Sequence, residues 1–334
     1  MKMNLFRKAK SVLLVGLAAA MFSTSAYGVE AESNVDESAL SLIGGTYCKD
    51  AITGEVTFIP DDETSTYSEE FELNSPSYDP NNEQIEINDD KMLRYIKDNR
   101  QIIKNPQNDA RYCTTVYISA TTANGGKLRG SGFMIGPNAV ATAGHVLFDK
   151  DEFGGDGWIT SATITPAKNT TETEPHFGTA SAIAYRCGGD WARKSDYNDD
   201  WGIIILNRDI GTQTGLMGKH SQSAAYSNDT VAYVNGYPKL VGSSSVEQFD
   251  LYTSFGSISS SKSKKLHSKD IYMSNGDSGG PCYIISKTYG YQAIGIASYG
   301  ITDENNKKNV YETVFRWIDQ TLYNKLAKYE KSTL

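Results

Sequence analysis

The hexapeptide Gly276-Asp277-Ser278-Gly279-Gly280-Pro281 sets a hydroxyl where it can become a nucleophile. Its glycines let the backbone turn tightly and bring successive N–H groups together. Two such donors, on Gly276 and Ser278, would hold the oxyanion formed when Ser278 attacks a carbonyl. A serine also needs a base, and the chain has four histidines. His145 follows the apolar stretch Gly132–Gly136, the turn pair Pro137-Asn138 and Ala141-Thr142-Ala143-Gly144. That pattern reads as strand, turn, strand, then a histidine at the edge of a packed element. His176, His220 and His267 lie in polar stretches and read as solvated surface side chains. An imidazole acting as base must be held in one tautomer by a carboxylate. Asp200 stands at the entry to the apolar run Trp201–Leu206 and can point inward; Asp199, and beyond it Asp196, are the rivals.

These groups are distant in sequence, so a rigid scaffold must bring them together. Short apolar runs are punctuated by Gly, Ser, Asn and Asp: Val116–Ser119, Phe133–Ile135, Ala162–Thr165, Ile203–Leu206, Val231–Asn235, Tyr283–Ile285 and Ala293–Ser298. Runs of this length and spacing indicate an all-β sandwich or barrel. Val310, Val314, Phe315, Ile318, Leu322 and Leu326 recur at helical spacing and predict a C-terminal amphipathic helix.

The chain order His145, Asp200, Ser278 is that of the chymotrypsin type of triad, not the subtilisin or α/β-hydrolase type. With the segments around those residues, it makes the chain resemble chymotrypsin-like serine proteases from about Ile102 to the end. The resemblance implies an all-β fold of two packed six-stranded antiparallel β-barrels closed by a C-terminal α-helix. Gly132–Asp149, Gly236-Tyr237-Pro238 and the C-terminal segment look most like the bacterial glutamyl endopeptidase group.

Two departures from that group concern specificity. Asp277 stands where the group has Asn or Gln, and Ala297 stands where it carries a histidine. Met273 replaces a hydroxyl residue of the group. A cut after Lys or Arg would want an acid at position 272, which is Tyr272. A substrate carboxylate needs a cation or several donors to offset its desolvation. By resemblance, then, Tyr272, Met273, Ala297 and Tyr299 shape a pocket for uncharged or apolar side chains, and Ser298, Tyr299 and Gly300 form the strand edge that pairs with substrate backbone.

Asp277 invites a further expectation. In trypsin-like enzymes the acid before the nucleophile pairs with a newly made α-amine, which orders the oxyanion hole. Cleavage after Gln101, or after Arg100 with trimming, would free the amine of Ile102 for that role.

Lys2, Arg7, Lys8 and Lys10, a short apolar run from Ser11 to Phe22, and small residues up to Ala26 and Gly28 read as a signal peptide, residues 1–28. The run falls short of the ~20 residues a spanning helix needs. Residues 29–100 hold 18 Asp/Glu against 5 Lys/Arg, whereas residues 101–334 are close to neutral. That acidity, with one helix-like stretch from Lys91 to Ile103, reads residues 29–101 as a removable propeptide before a protease domain at 102–334.

Export permits disulfides. Of Cys48, Cys113, Cys187 and Cys282, the pair Cys113–Cys187 is the expected bridge, and Val146 follows His145 where animal relatives often have cysteine. Asp149, Asp151, Glu152 and Asp156 crowd one loop without a strict metal spacing and read as a solvated turn. No cofactor, metal, nucleic-acid partner or stable membrane anchor is expected. The combined expectation is a secreted, monomeric serine endopeptidase made as a zymogen and acting on proteins or peptides. The alternative is a protease-fold adhesin, toxin or binding protein with little peptidase activity.

Overall fold

Runs of β-branched and aromatic residues broken by glycine and polar turns fold here almost entirely into strands. The computed structural model describes residues 44–61, 72–75, 96–240, 249–261, 263–302 and 310–331. The expected signal peptide, and the acidic stretches 62–71 and 76–95, lie outside the described residues.

The N-terminal segment supplies β1 (Gly45–Asp50), β2 (Val56–Pro60), β3 (Glu72–Ser75) and β4 (Gln101–Ile103). Next come β5 (Thr115–Thr122), β6 (Lys127–Gly136), β7 (Ala139–Thr142), β8 (Ile159–Pro166), β9 (Ala180–Gly188) and β10 (Gly202–Leu206). These last six pair antiparallel in the order β10-β7-β6-β5-β8-β9, and β10 closes on β9 to complete a six-stranded barrel. The second half gives β11 (Gly218–Gln222), β12 (Thr230–Gly236), β13 (Leu251–Ser260), β14 (Lys265–Ser268), β15 (Pro281–Ser286), β16 (Gly290–Thr302) and β17 (Val310–Trp317). Strands β15-β12-β13-β14-β17-β16 form the second six-stranded barrel, closed by β15 against β16. Each apolar run singled out in the sequence lies within one of these strands.

Burial explains the register. All five residues of β10, Gly202–Leu206, are buried, as a continuous apolar run requires. Val116, Ile118, Phe133, Val140, Ile203 and Ile205 fill the first barrel, and the same apolar cluster continues through Tyr283, Tyr291 and Ile296 to Leu322 and Leu326 of the C-terminal helix. Each such aliphatic side chain contributes about 1.5–3 kcal/mol by leaving water. The core therefore clamps both barrels and the helix into one unit.

Several expectations need correction. The C-terminal helix is only Gln320–Ala327, capped by Asp319, which accepts from the Leu322 N–H. Val310–Trp317 is strand β17, held between β14 and β16. Its β-branched and aromatic residues suit a strand, and burial on both faces hides the period-two pattern. Within the described part of Lys91–Ile103, Gln101–Ile103 is likewise a strand, paired with Leu251–Thr253. His220 is buried at 5% exposure because β3 covers β11, and Asn74 and Gln222 contact its two nitrogens. His267 is paired with Glu312 at 2.6 Å. The expected Cys113–Cys187 bridge is not formed: all four cysteines are buried and none is in a disulfide, Cys113 donating to the carbonyls of Pro106 and Gln107.

The acidic segment is built in where it is described. The β1–β2 hairpin adds to β9 of the first barrel, β4 adds to β13 of the second, and β3 pairs with β11, which runs parallel beside β16. Lys49 of the hairpin meets Asp156 of the acidic loop at 2.7 Å, and Cys48 and Phe58 are buried. Asp149 in that loop accepts from the N–H groups of Asp151 and Glu152, closing a turn. Among the described residues, no helix is long and apolar enough to cross a membrane.

Candidate active site

Strand β7 ends at Thr142, and the chain turns at once into the short helix Gly144–Leu147, which carries His145. Pairing of Gly202 with Thr142 brings the start of β10 alongside this turn. Asp200 enters there, completely buried. Its Oδ2 lies 2.9 Å from His145 Nδ1 and its Oδ1 accepts the His145 backbone N–H at 2.9 Å. Ser298 of β16 donates its hydroxyl to the same Oδ2 at 2.5 Å. The rival Asp199 is engaged elsewhere, accepting from the Trp201 indole and the Asp190 N–H.

With Nδ1 donating to Asp200, the imidazole is fixed in the tautomer that leaves Nε2 as its acceptor. Burial disfavours charging of His145, but the adjacent carboxylate outweighs it and holds the histidine above its ordinary pKa. For Asp200, too, burial works against charge, and His145 with the hydrogen bonds of Ser298 and the backbone holds it below the usual carboxylate range. Each group favours the charged form of the other.

The serine loop reaches this pair by backbone packing. Ser131 N–H donates to the Ser278 carbonyl at 2.8 Å. A Cβ on Gly279 would stand 2.1 Å from Thr142 Oγ1 and 2.9 Å from the nitrogen of Ala143, two residues before His145, and Gly279 has φ +85°. Only glycine fits that crossing. Around the expected oxyanion position, Lys239 N–H holds the Asn275 carbonyl at 2.6 Å and Ser131 Oγ holds the Gly276 carbonyl at 2.7 Å. Gly276 has φ +101°. Among the described residues, neither Gly276 N–H nor Ser278 N–H has a protein acceptor. Two carbonyls are tied back and two donors are left for a ligand.

Asp277, 3% exposed, accepts the Ser274 N–H at 2.8 Å. Arg100 Nη1 lies 3.5 Å from its Oδ2. Burial pushes this carboxyl up to about 6 despite the nearby guanidinium. Ile102 lies in β4, opposite Tyr252 and 45% exposed.

The expected pocket residues separate into two kinds. Met273 and Ala297 are buried, while Tyr272 and Tyr299 are half-buried and Gly300 is exposed. Ala297 exchanges backbone hydrogen bonds with Gly279 and Gly280, locking β16 to the serine loop. Residues Tyr299–Thr302 pair with β17 on one edge, and β15 pairs with β16 no further than Ile296. Among the described residues, the other edge at Ser298–Gly300 has no strand partner.

In the family comparison, the model described as Trypsin matches residues 103–319. The chain belongs to the trypsin family. A stretch of 217 residues is 28% identical to an extracellular metalloprotease of Bacillus subtilis (strain 168), covering 63% of this chain and 64% of that protein. A stretch of 156 residues is 31% identical to a glutamyl endopeptidase of Bacillus licheniformis, covering 46% of this chain and 44% of that one. These matches thus span less than two thirds of either relative. Among solved structures, a Glu endopeptidase in complex with MPD aligns with TM-score 0.54 and 16% identity over 71% of this chain and 98% of its own. The protease Anisep from Arthrobacter nicotinovorans aligns with TM-score 0.54 and 20% identity, over 69% and 99%. At such identities the structural matches establish the shared trypsin-family fold.

Sequence reasoning missed three features of this trypsin-family site. Ser298, taken as backbone edge, also anchors Asp200 through its hydroxyl. Trp191 and Tyr197 continue an aromatic row from His145 to Tyr299, with ring centroids 6.1, 5.3 and 4.6 Å apart. Arg100 was noticed only as a boundary. Asking which cation could neutralise a buried Asp277 would have found it.

Proposed function

We propose that this trypsin-family chain is a secreted serine endopeptidase, monomeric and made as a precursor, with His145, Asp200 and Ser278 as its triad. The observation that carries the reading is the doubly anchored His145–Asp200 pair beside a serine loop with two unengaged N–H donors. His145 Nε2 takes the Ser278 proton as Oγ attacks the peptide carbonyl, and the N–H groups of Gly276 and Ser278 hold the oxyanion. His145 then gives the proton to the leaving amine, and water releases the acyl-enzyme by the reverse path. A serine–imidazole contact of this kind commonly tightens only once substrate is bound. Export is supported by the leader-like N-terminus and by the relative named as extracellular.

The pocket favours uncharged side chains. Ala297 and Met273 offer a carboxylate no donor, and Arg100, which lies over the Tyr272 ring, is spent on Asp98 and Asp277. Fluorophosphonate labelling tests the nucleophile: the secreted protein should label and Ser278→Ala should not. A peptide-library profile tests the pocket, and strict cleavage after Glu or after Lys/Arg would reject the apolar assignment.

A further inference from the structure

A buried carboxylate next to the nucleophile needs a cation, and the intact chain already provides one. Arg100, its side chain 8% exposed, runs along the second barrel just ahead of β4. Its Nε and Nη2 grip Asp98 at 2.8 and 2.6 Å, and its Nη1 donates to Ser274 Oγ at 2.6 Å while standing 3.5 Å from Asp277. The guanidinium also lies over the rings of Tyr272 and Tyr252, 4.9 and 5.8 Å from their centroids. One group therefore touches three members of the segment 272–277, at its start, middle and end. The neighbouring Asn99 fixes the approach by donating to the carbonyls of Phe255 and Asp270.

The loop so held has its oxyanion donors free and its Asn275 and Gly276 carbonyls tied back, with the Arg100–Gln101 bond unbroken. We infer that Arg100 is the positioning residue of the oxyanion loop, its guanidinium serving as the counter-ion of Asp277 in place of a newly made α-amine. This rests on the serine-nucleophile reading for its catalytic consequence but not for its structural one. It also changes what cutting would do. Scission beyond Arg100 with loss of the N-terminal piece would remove the cation that orders the loop, and Ile102 would have to replace it.

Charged and titratable groups acting on the Asp277 carboxylate are Arg100, Asp98 and Tyr272, and the small cavity beside it is lined also by Tyr252, Ser254, Thr253, Val234 and Gly236. Without Arg100 the carboxylate keeps only the Ser274 N–H among its named donors, so its proton is held to higher pH.

The experiment compares the secreted wild type with Arg100→Gln and Arg100→Lys by fluorophosphonate labelling, kcat and KM across the acid limb, N-terminal sequencing of the labelled band, and hydrogen exchange over residues 272–278. The labelled wild type should retain Arg100. Arg100→Gln should lose about 10²–10³ in labelling rate and kcat, the cost of an oxyanion donor, with KM changed far less. Its acid limb should move to higher pH, and Arg100→Lys should recover much of the rate. Exchange over 272–278 should rise in Arg100→Gln while the β5–β10 barrel stays protected. A fully active species that begins at Gln101 or Ile102 and has lost the piece carrying Arg100, or wild-type labelling by Arg100→Gln, would overturn the inference. If the wild type itself does not label, the peptidase reading fails, and the exchange comparison alone decides whether Arg100 orders the loop.

Discussion

Ser298 donates its hydroxyl to Asp200 Oδ2 at 2.5 Å, from a strand whose next residues form the open edge beside the site. One residue thus joins the open strand edge to the orientation of the imidazole. Hydrogen bonds to a charged group contribute about 1.5–3 kcal/mol. Ser298→Ala should therefore lower kcat by about tenfold to a hundredfold, with little change in KM, measured on a peptide substrate.

Asp200→Asn keeps the shape but reverses a donor and an acceptor. The amide would present N–H to His145 Nδ1 and favour the wrong tautomer. A loss of about 10⁴ in kcat is expected, with the melting temperature close to that of the wild type. A loss below tenfold would remove Asp200 from the mechanism.

The pH profile follows from the same pair. His145 must be neutral to act as base, and Asp200 raises its pKa above the ordinary value of about 6.5. The rising limb of kcat/KM should have its midpoint above that value. Removing the carboxylate charge in Asp200→Asn should move the residual activity's midpoint downward.

Asp277 gives a stability prediction of definite sign. Its folded pKa of about 6 exceeds the ~3.9 of an unfolded aspartate. The folded state therefore holds the extra proton between those values, and this contribution is full below about pH 4 and lost as pH rises through about 6. Against Asp277→Asn, which cannot titrate, the wild type should lose roughly 2–3 kcal/mol of relative stability across that window. Paired denaturation curves at several pH values would show it.

Gly279→Ala tests the crossing between the serine loop and β7. The new methyl would meet Thr142 Oγ1 at 2.1 Å and the Ser131 carbonyl at 2.2 Å, at a backbone angle side chains avoid. Neither neighbour can retreat without opening the first barrel. We expect a lowered melting temperature and loss of fluorophosphonate labelling together.

How much of this was legible in the chain depends on which forces write themselves locally. Short apolar runs marked β5, β6, β8, β10, β12, β15 and β16 because strand burial leaves a contiguous or alternating pattern. His145 and Ser278 stood out because glycine and small residues crowd beside them, and Asp200 because it opens the apolar run Trp201–Leu206. Val310–Trp317 misled because its two buried faces erase alternation and leave spacings that also fit a helix. His220 looked solvated because the strand that covers it, β3, lies 145 or more residues upstream. Arg100 was hidden for a similar reason: its partners Tyr252, Tyr272, Ser274 and Asp277 are brought to it by the β4–β13 pairing and by the hydrogen bonds of Asn99 to Phe255 and Asp270.

The hairpin β1–β2 has one more implication. Five residue pairs join it to β9, and the Lys49–Asp156 bridge and buried Phe58 add side-chain anchorage. Cutting the chain near residue 101 would sever a single peptide bond and leave all of that in place. The released piece would stay associated as a second, noncovalent chain, shielding an otherwise bare sheet margin from self-association until it is digested or displaced.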